Sequence, residues 1–221
     1  MGENLVLFQR QGRVATLTLN RPEKRNALTP EMLEDLAATL TGLREDAEVR
    51  CIVLRGAGKD AFSAGFDIER IAPDAPQPGE NVPRVQDPYV WPKDAITLFP
   101  YPVIAMIYGF CIGTGLEMAV ACDLRIAADS AQLGITPAKL GIVYNHDPIQ
   151  AIVDLVGPAY AKELFYTGRL VDAQRAYTMS LAILCPPSRG AGELCVRSGT
   201  GDSRQRSAVG PGSQDHYQPH P

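Results

Sequence analysis

The sequence predicts an α/β fold built in layers, and three observations carry that prediction. Two short runs, residues 5–9 and 14–20, read as a strand pair around a turn at Gln11-Gly12, with apolar residues alternating in VATLTLN. A long amphipathic helix follows them. CIVLRG, residues 51–56, is then nearly all apolar, the composition of a strand buried on both faces. With 221 residues at 45% apolar composition, the chain can fill one substantial core. Residues 1–184 are assigned to that core, and residues 185–221 to an irregular tail.

Each element has its own warrant. NRPEKRNAL is a polar loop after the strand pair. Thr29 is placed to cap a helix that has Pro30 at its first position, Glu31 in the first turn, and Met32, Leu33, Leu36, Leu40 and Leu43 along one face. AGKDAFSAGFDIER is a loop turning at Gly65, with Asp67 set to open or cap a helix. Residues 72–92 are rich in proline and polar residues, which predicts an irregular surface excursion. A short helix over 93–99 and a buried strand over 102–107 come next. GFCIGTGLEMAVACD passes from a glycine turn into a helix, and CDLRIAA into a strand, where Asp123 and Arg125 are expected to form an ion pair. Two helices, 149–156 and 159–166, are split by Gly157-Pro158, and Asp172 opens a last one. Beyond Leu184 the periodicity stops; Gly, Pro, Ser and Arg dominate, a composition that cannot offset its ordering entropy, so disorder is expected there.

Several functional classes are disfavoured. The net charge of −4 gives no general attraction to nucleic acid or anionic membrane. The first residues lack a charged segment leading into a long apolar run, so no signal peptide is expected. The apolar stretch around 103–112 is broken by Gly109 and too short to span a bilayer. Five cysteines show no C-x-x-C spacing; Cys51, Cys111 and Cys122 lie in apolar patterns and read as small buried hydrophobes of a cytoplasmic protein.

The chemistry concentrates in two turns. In FSAGFDI and in GFCIGTGLEMA, a strand runs through glycine into the start of a helix. The first amides of a helix have no acceptor in the helical ladder and sit at the positive end of its dipole. One N–H group from near Gly65 and Phe66 and one from the turn where Gly113 and Gly115 flank Thr114, converging on one carbonyl oxygen, would make an oxyanion hole. GTG is not a dinucleotide fingerprint, and no G-K-[ST] follows it, so nucleotide phosphate is a poor ligand for either turn.

The order NRPEKRNAL, AFSAGFDI, GFCIGTGLEMAVACDLRIAADSAQLG resembles the crotonase (enoyl-CoA hydratase/isomerase) superfamily over about residues 4–182. The resemblance implies a spiral of ββα units, trimeric or hexameric assembly, and an acyl-CoA thioester substrate whose enolate is held by two backbone amides. It implies no separate cofactor and no metal, since coenzyme A belongs to the substrate. Carried over by position, the donors fall on Phe66 and Thr114, the latter flanked by Gly113. Lys24 and Ala27 match the loop that meets the CoA nucleotide, and Ala64, Asp67 and Ile68 the pantetheine path.

Within the family, the carboxylates divide the branches. Hydratases work with two glutamates; Glu117 matches the first, and Pro137 stands where the second would be. The run T-P-x-x-L-G-x-x-Y-N, here Thr136, Pro137, Leu140, Gly141, Tyr144 and Asn145, is similar to the methylmalonyl-CoA decarboxylase branch, which carries histidine where this chain has Phe66. That likeness implies Thr136 and Tyr144 hydroxyls holding a substrate carboxylate, with Tyr144 or water returning a proton. The alternatives are a hydratase or isomerase type of lyase using Glu117, or a truncated, inactive paralogue serving as a binding subunit. His146 reads as a solvated loop side chain, with a replacement acid as the alternative.

Overall fold

The computed structural model describes residues 4–67, 90–139 and 146–184. The strand pair is β1 (Val6–Gln11) and β2 (Val14–Leu19), antiparallel, turning at Gly12, whose φ of 59° favours glycine. Helix α1 (Pro30–Leu43) is capped as the sequence predicts: the Thr29 side chain accepts from the Met32 N–H at 3.3 Å. Such a cap contributes about 1 kcal/mol. The helix buries Met32, Leu33, Leu36, Ala37 and Leu40, while Leu43 is only partly covered.

From there the chain alternates between two sheets. Strands β3 (Cys51–Gly56), β5 (Val103–Ile107) and β7 (Leu124–Ala127) pair in parallel in a large sheet. Short strands β4 (Ala61–Ser63), β6 (Phe110–Ile112) and β8 (Gln132–Gly134) pair in parallel in a small one. Helices α2 (Val90–Thr97), α3 (Thr114–Ala121) and α4 (His146–Thr167) follow the successive strand pairs. Each turn of this spiral therefore adds one strand to each sheet and one helix to the outside, which is the ββα repeat expected from the family resemblance. Strand β9 (Val171–Asp172), helix α5 (Ala173–Thr178) and strand β10 (Ile183–Leu184) close the described chain. The orders are β1-β2-β3-β5-β7-β10 and β4-β6-β8-β9.

Local chemistry explains the boundaries. Helix α4 is one run broken at Gly157 (φ 78°), followed by Pro158, so the two predicted helices meet at a kink. Asp172 caps α5 by accepting from the Arg175 N–H at 2.7 Å. A side chain at Gly56 would collide with the Ala61 and Phe62 carbonyls, and one at Gly109 with the Asp60 carbonyl. These two glycines allow the chain to cross from the large sheet to the small one. The expected ion pair between Asp123 and Arg125 does not form. Asp123 accepts from the Val103 N–H at 2.7 Å, and Arg125 donates to the Leu181 and Cys122 carbonyls, because strand-end peptide groups need partners and lie nearer. The expected tail, and most of the proline-rich excursion, lie outside the described residues. Among the described residues, no helix is long and apolar enough to cross a membrane.

Cys51, Cys111 and Cys122 are buried free thiols, as their apolar settings predict. Burial pushes Cys51 up from an ordinary 9.0 to about 11, with the Asp123 charge adding to it. Cys122 is pushed up to about 12 by burial, and Cys111 is also raised by burial. A thiol that keeps its proton longer folded than unfolded stabilises the fold fully below the unfolded pKa. That contribution is lost as pH rises through the folded value. Urea unfolding is therefore expected to need progressively less denaturant from about pH 9 to pH 11. A Cys51→Ala/Cys122→Ala variant should decline less steeply over the same window; an identical slope would remove the thiols as its cause.

Candidate active site

The two glycine turns, at Gly65 and Gly113, lie 48 positions apart in sequence and are neighbours in space. Gly65 has φ of 92°, and a Cβ built there would lie 2.8 Å from the Ile112 carbonyl oxygen and 3.7 Å from the Thr114 nitrogen. At the second turn, Gly113 (φ 55°) donates to the Gly134 carbonyl at 2.9 Å and accepts from Leu116 and Glu117. Thr114 is the first residue of α3, so its amide has no acceptor in the ladder. At the first turn, a parallel bridge links Phe66 to Leu28: Leu28 donates to the Gly65 carbonyl at 2.8 Å, and Asp67 donates to the Leu28 carbonyl at 2.9 Å. Because peptide groups alternate along an extended chain, the Phe66 N–H is directed to the edge away from Leu28.

Ser63 sits between the turns. It is fully buried, its Oγ accepts from the Gly65 N–H at 3.1 Å, and its Cβ lies 2.8 Å from where a Gly115 side chain would begin. Only glycine at 115 allows α3 to start this close to β4.

The loop after β2 is stitched to the first turn. Pro22–Lys24 form a 3-10 turn, and Arg25 and Asn26 then take left-handed conformations, with φ of 51° and 53°. Asn26 is fully buried. Its Oδ1 accepts from the Arg21 N–H, and its Nδ2 donates to the Ala57 and Ala61 carbonyls at 3.0 and 2.8 Å. Ala64 donates to the Arg25 carbonyl at 3.0 Å. The Arg21 guanidinium reaches the Ala27 carbonyl at 2.8 Å and grips Asp67 Oδ2 with two N–H groups at 3.1 Å. Asp67 is thus held by an ion pair with Arg21, a partner that its sequence reading as a helix opener did not include.

A third segment borders the second turn. Strand β8 pairs Gly134 with Ile112, so Thr136 and the 3-10 turn Pro137–Lys139 leave the sheet beside Gly113. Thr136 is half-buried and its carbonyl accepts from Lys139. Glu117 lies three residues into α3 from Thr114, on the same helical face. The structure therefore sets Ala64, Phe66 and Asp67 of the first turn beside Gly113 and Thr114 of the second, with Glu117 one helical turn along α3, Thr136 and the backbone of Pro137 following β8, and Lys24 and Ala27 on the stitched loop. Ile68 and Tyr144 lie outside the described residues. His146 is exposed at the start of α4, 3.5 Å from Asp147, in keeping with a solvated side chain. Among the described residues, no group of three His, Cys, Asp or Glu side chains could hold a metal ion.

Sequence reasoning missed Arg21, Asn26 and Ser63. Their roles are long-range, and the available signal was only that polar residues flanked the turns. Arg21 and Asp67 are largely buried, so losing one partner leaves a charge unpaired in a poorly solvated place. Asp67→Ala is expected to cost on the order of 3 kcal/mol in urea unfolding. Arg21→Met/Asp67→Leu should recover part of that loss, and a single variant as stable as the parent would contradict the role of the pair.

The sequence matches the family model described as enoyl-CoA hydratase/isomerase over residues 9–186. YngF of Bacillus subtilis, named for enoyl-CoA hydratase/isomerase, is 39% identical over 82% of this chain and 68% of its own length. Human mitochondrial enoyl-CoA hydratase domain-containing protein 2 is 37% identical over 76% of this chain, which spans only 56% of that protein. A solved structure of methylmalonyl-CoA decarboxylase in complex with 2-nitronate-propionyl-CoA superposes with a TM-score of 0.80 at 30% identity, covering 89% of this chain and 74% of that one. With the fold, the adjoining glycine turns and these matches in agreement, the chain belongs to the enoyl-CoA hydratase/isomerase family.

Proposed function

We propose that this chain binds an acyl-CoA thioester, holds its oxygen with the Phe66 and Thr114 amides, and decarboxylates a malonyl-type acyl group such as methylmalonyl. The observation that carries the reading is Pro137. It begins the 3-10 turn after β8, at the position that the family resemblance gives to the second acid of a two-carboxylate hydration, and a prolyl ring carries no exchangeable proton. Asp67, the carboxylate beside Phe66, is engaged by Arg21.

Decarboxylation needs no base. The bond from the α-carbon to the carboxylate breaks, its electron pair passes into the thioester to form an enolate, CO₂ leaves, and a proton returns to the α-carbon. Donors aimed at the enolate oxygen favour the transition state over the ground state, because charge grows there as the bond breaks. In the proposal, Thr136 and Tyr144 hydroxyls hold the departing carboxylate across the thioester plane, and Tyr144 or water supplies the proton. Lys24 and Ala27 meet the CoA nucleotide, and Ala64, Asp67 and Ile68 line the pantetheine arm. Assembly as a homotrimer or hexamer belongs to the same proposal.

A second reading has its own support. Glu117 stands one helical turn from Thr114, and the relatives named above carry hydratase names. A hydratase or isomerase would use Glu117 to hold or activate water. A third reading, an inactive binding subunit, is tested by the same experiment.

Purified protein is mixed with methylmalonyl-CoA and with crotonyl-CoA, following CO₂ release and loss of enoyl absorbance. Decarboxylation is expected, with Tyr144→Phe at least about tenfold slower and Glu117→Gln within a fewfold of the parent. Under hydration, Glu117→Gln should instead lose about 10²- to 10⁴-fold. Turnover of crotonyl-CoA alone would contradict the decarboxylase reading. Silence on a broad acyl-CoA panel would favour the binding subunit.

A further inference from the structure

We infer that Ser63 is a positioning residue that sets the separation and direction of the two amide donors at once. This rests on the two-donor reading above. Among the described residues four polar or charged side chains are buried, and three have other employment: Asn26 in the loop, Thr29 as a helix cap, Asp67 with Arg21. Ser63 is the one whose contacts reach both turns.

Its geometry couples them. Strand β4 pairs with β6 through a register irregularity that sets Ser63 opposite Cys111, at the strand end facing α3. The Ser63 hydroxyl oxygen accepts from the Gly65 N–H at 3.1 Å, which fixes the Ala64–Gly65 peptide, one before the peptide that carries the Phe66 N–H. The same residue meets the first turn of α3: a Cβ at Gly115 would come within 2.8 Å of Ser63 Cβ, 2.9 Å of its carbonyl oxygen and 3.0 Å of Oγ. Gly115 follows Thr114 directly. One buried side chain therefore restrains the peptide before one donor and the residue after the other. A hydrogen bond alone could be replaced by water elsewhere, but a fully buried site pressed against backbone leaves no such room.

Displacing a donor by a fraction of an ångström weakens its hold on an oxyanion far more than its hold on the remote CoA moiety. A misplacement near 1 Å can cost about 10²-fold in rate. The role of Ser63 should thus appear in kcat and in carbonyl polarisation, and leave KM nearly untouched.

Cinnamoyl-CoA is the probe, because the absorbance of its conjugated thioester moves to longer wavelength when the carbonyl is polarised. The parent protein is expected to shift the bound probe. Ser63→Ala should lose at least about half of that shift and about tenfold in kcat for the thioester turned over fastest, with KM within about threefold. Ser63→Cys, nearly isosteric and a weaker acceptor, should fall between, and carries the test alone if Ser63→Ala does not fold by circular dichroism. Gly115→Ala should lose the shift from the opposite side. Folded Ser63 variants that keep the full shift and kcat, or that change KM alone, would overturn the positioning role. A parent protein that binds the probe without any shift would instead overturn the two-donor reading itself.

Discussion

The closeness of α3 to β4 is the constraint on which the candidate site depends. Helices usually begin a side chain's width away from a neighbouring strand, but here Gly115 lets the backbone of α3 touch Ser63. Gly65 in turn allows its own backbone to lie against Ile112. Two chain segments that would otherwise be separated by side chains are brought together, with the open end of a helix on one side and an extended peptide on the other. Close approach here depends on glycine at both positions, since any Cβ would displace main chain rather than a flexible side-chain tip. The small sheet supplies the rigidity: β4, β6 and β8 pair in parallel immediately before the first turn, the second turn and the Thr136–Pro137 wall.

A second layer of interactions keeps the loop after β2 in register with this pair of turns. Asn26 adopts a left-handed conformation, which costs an ordinary residue about a kilocalorie or more, and its buried amide offsets that by satisfying the Ala57 carbonyl just after β3 and the Ala61 carbonyl at the start of β4. Arg21 spans from the Ala27 carbonyl to Asp67, so the same guanidinium touches the loop and the far end of the first turn. A buried ion pair is weak evidence for stability, because desolvation opposes attraction. Its value lies in geometry: two N–H groups on one oxygen hold the residue after Phe66 in place.

How much of this was legible in the sequence depended on the range of the interactions. Caps at Thr29 and Asp172, the apolar face of α1, the buried strand β3 and the break at Gly157 are local, so residue type and spacing revealed them. The family resemblance supplied the ββα spiral and the pairing of FSAGFDI with GFCIGTGLE. Strands β8 and β9 are not legible as strands, because two or three residues offer no period and are defined only by distant partners. Ser63, Asn26 and Arg21 were missed for the same reason: Arg21 and Asp67 are 46 positions apart. The pairing of Asp123 with Arg125 failed because sequence proximity ignored nearby peptide groups, which took both side chains.

The chemistry reduces to where negative charge can rest. Glu117 lies one helical turn along α3 from Thr114, and the 3-10 turn after β8 begins at Pro137; the proposed loss of an anion and the alternative hydration differ in what they ask of these two positions. Either reaction would depend on the same pair of amides. The most direct test is a crystal structure with a propionyl-CoA analogue in which a methylene replaces the thioester sulfur. If both amides hold it, the carbonyl oxygen will lie within about 3.2 Å of the Phe66 and Thr114 nitrogens alike. An oxygen bonded to neither, with those amides directed at protein carbonyls, would contradict the two-donor reading.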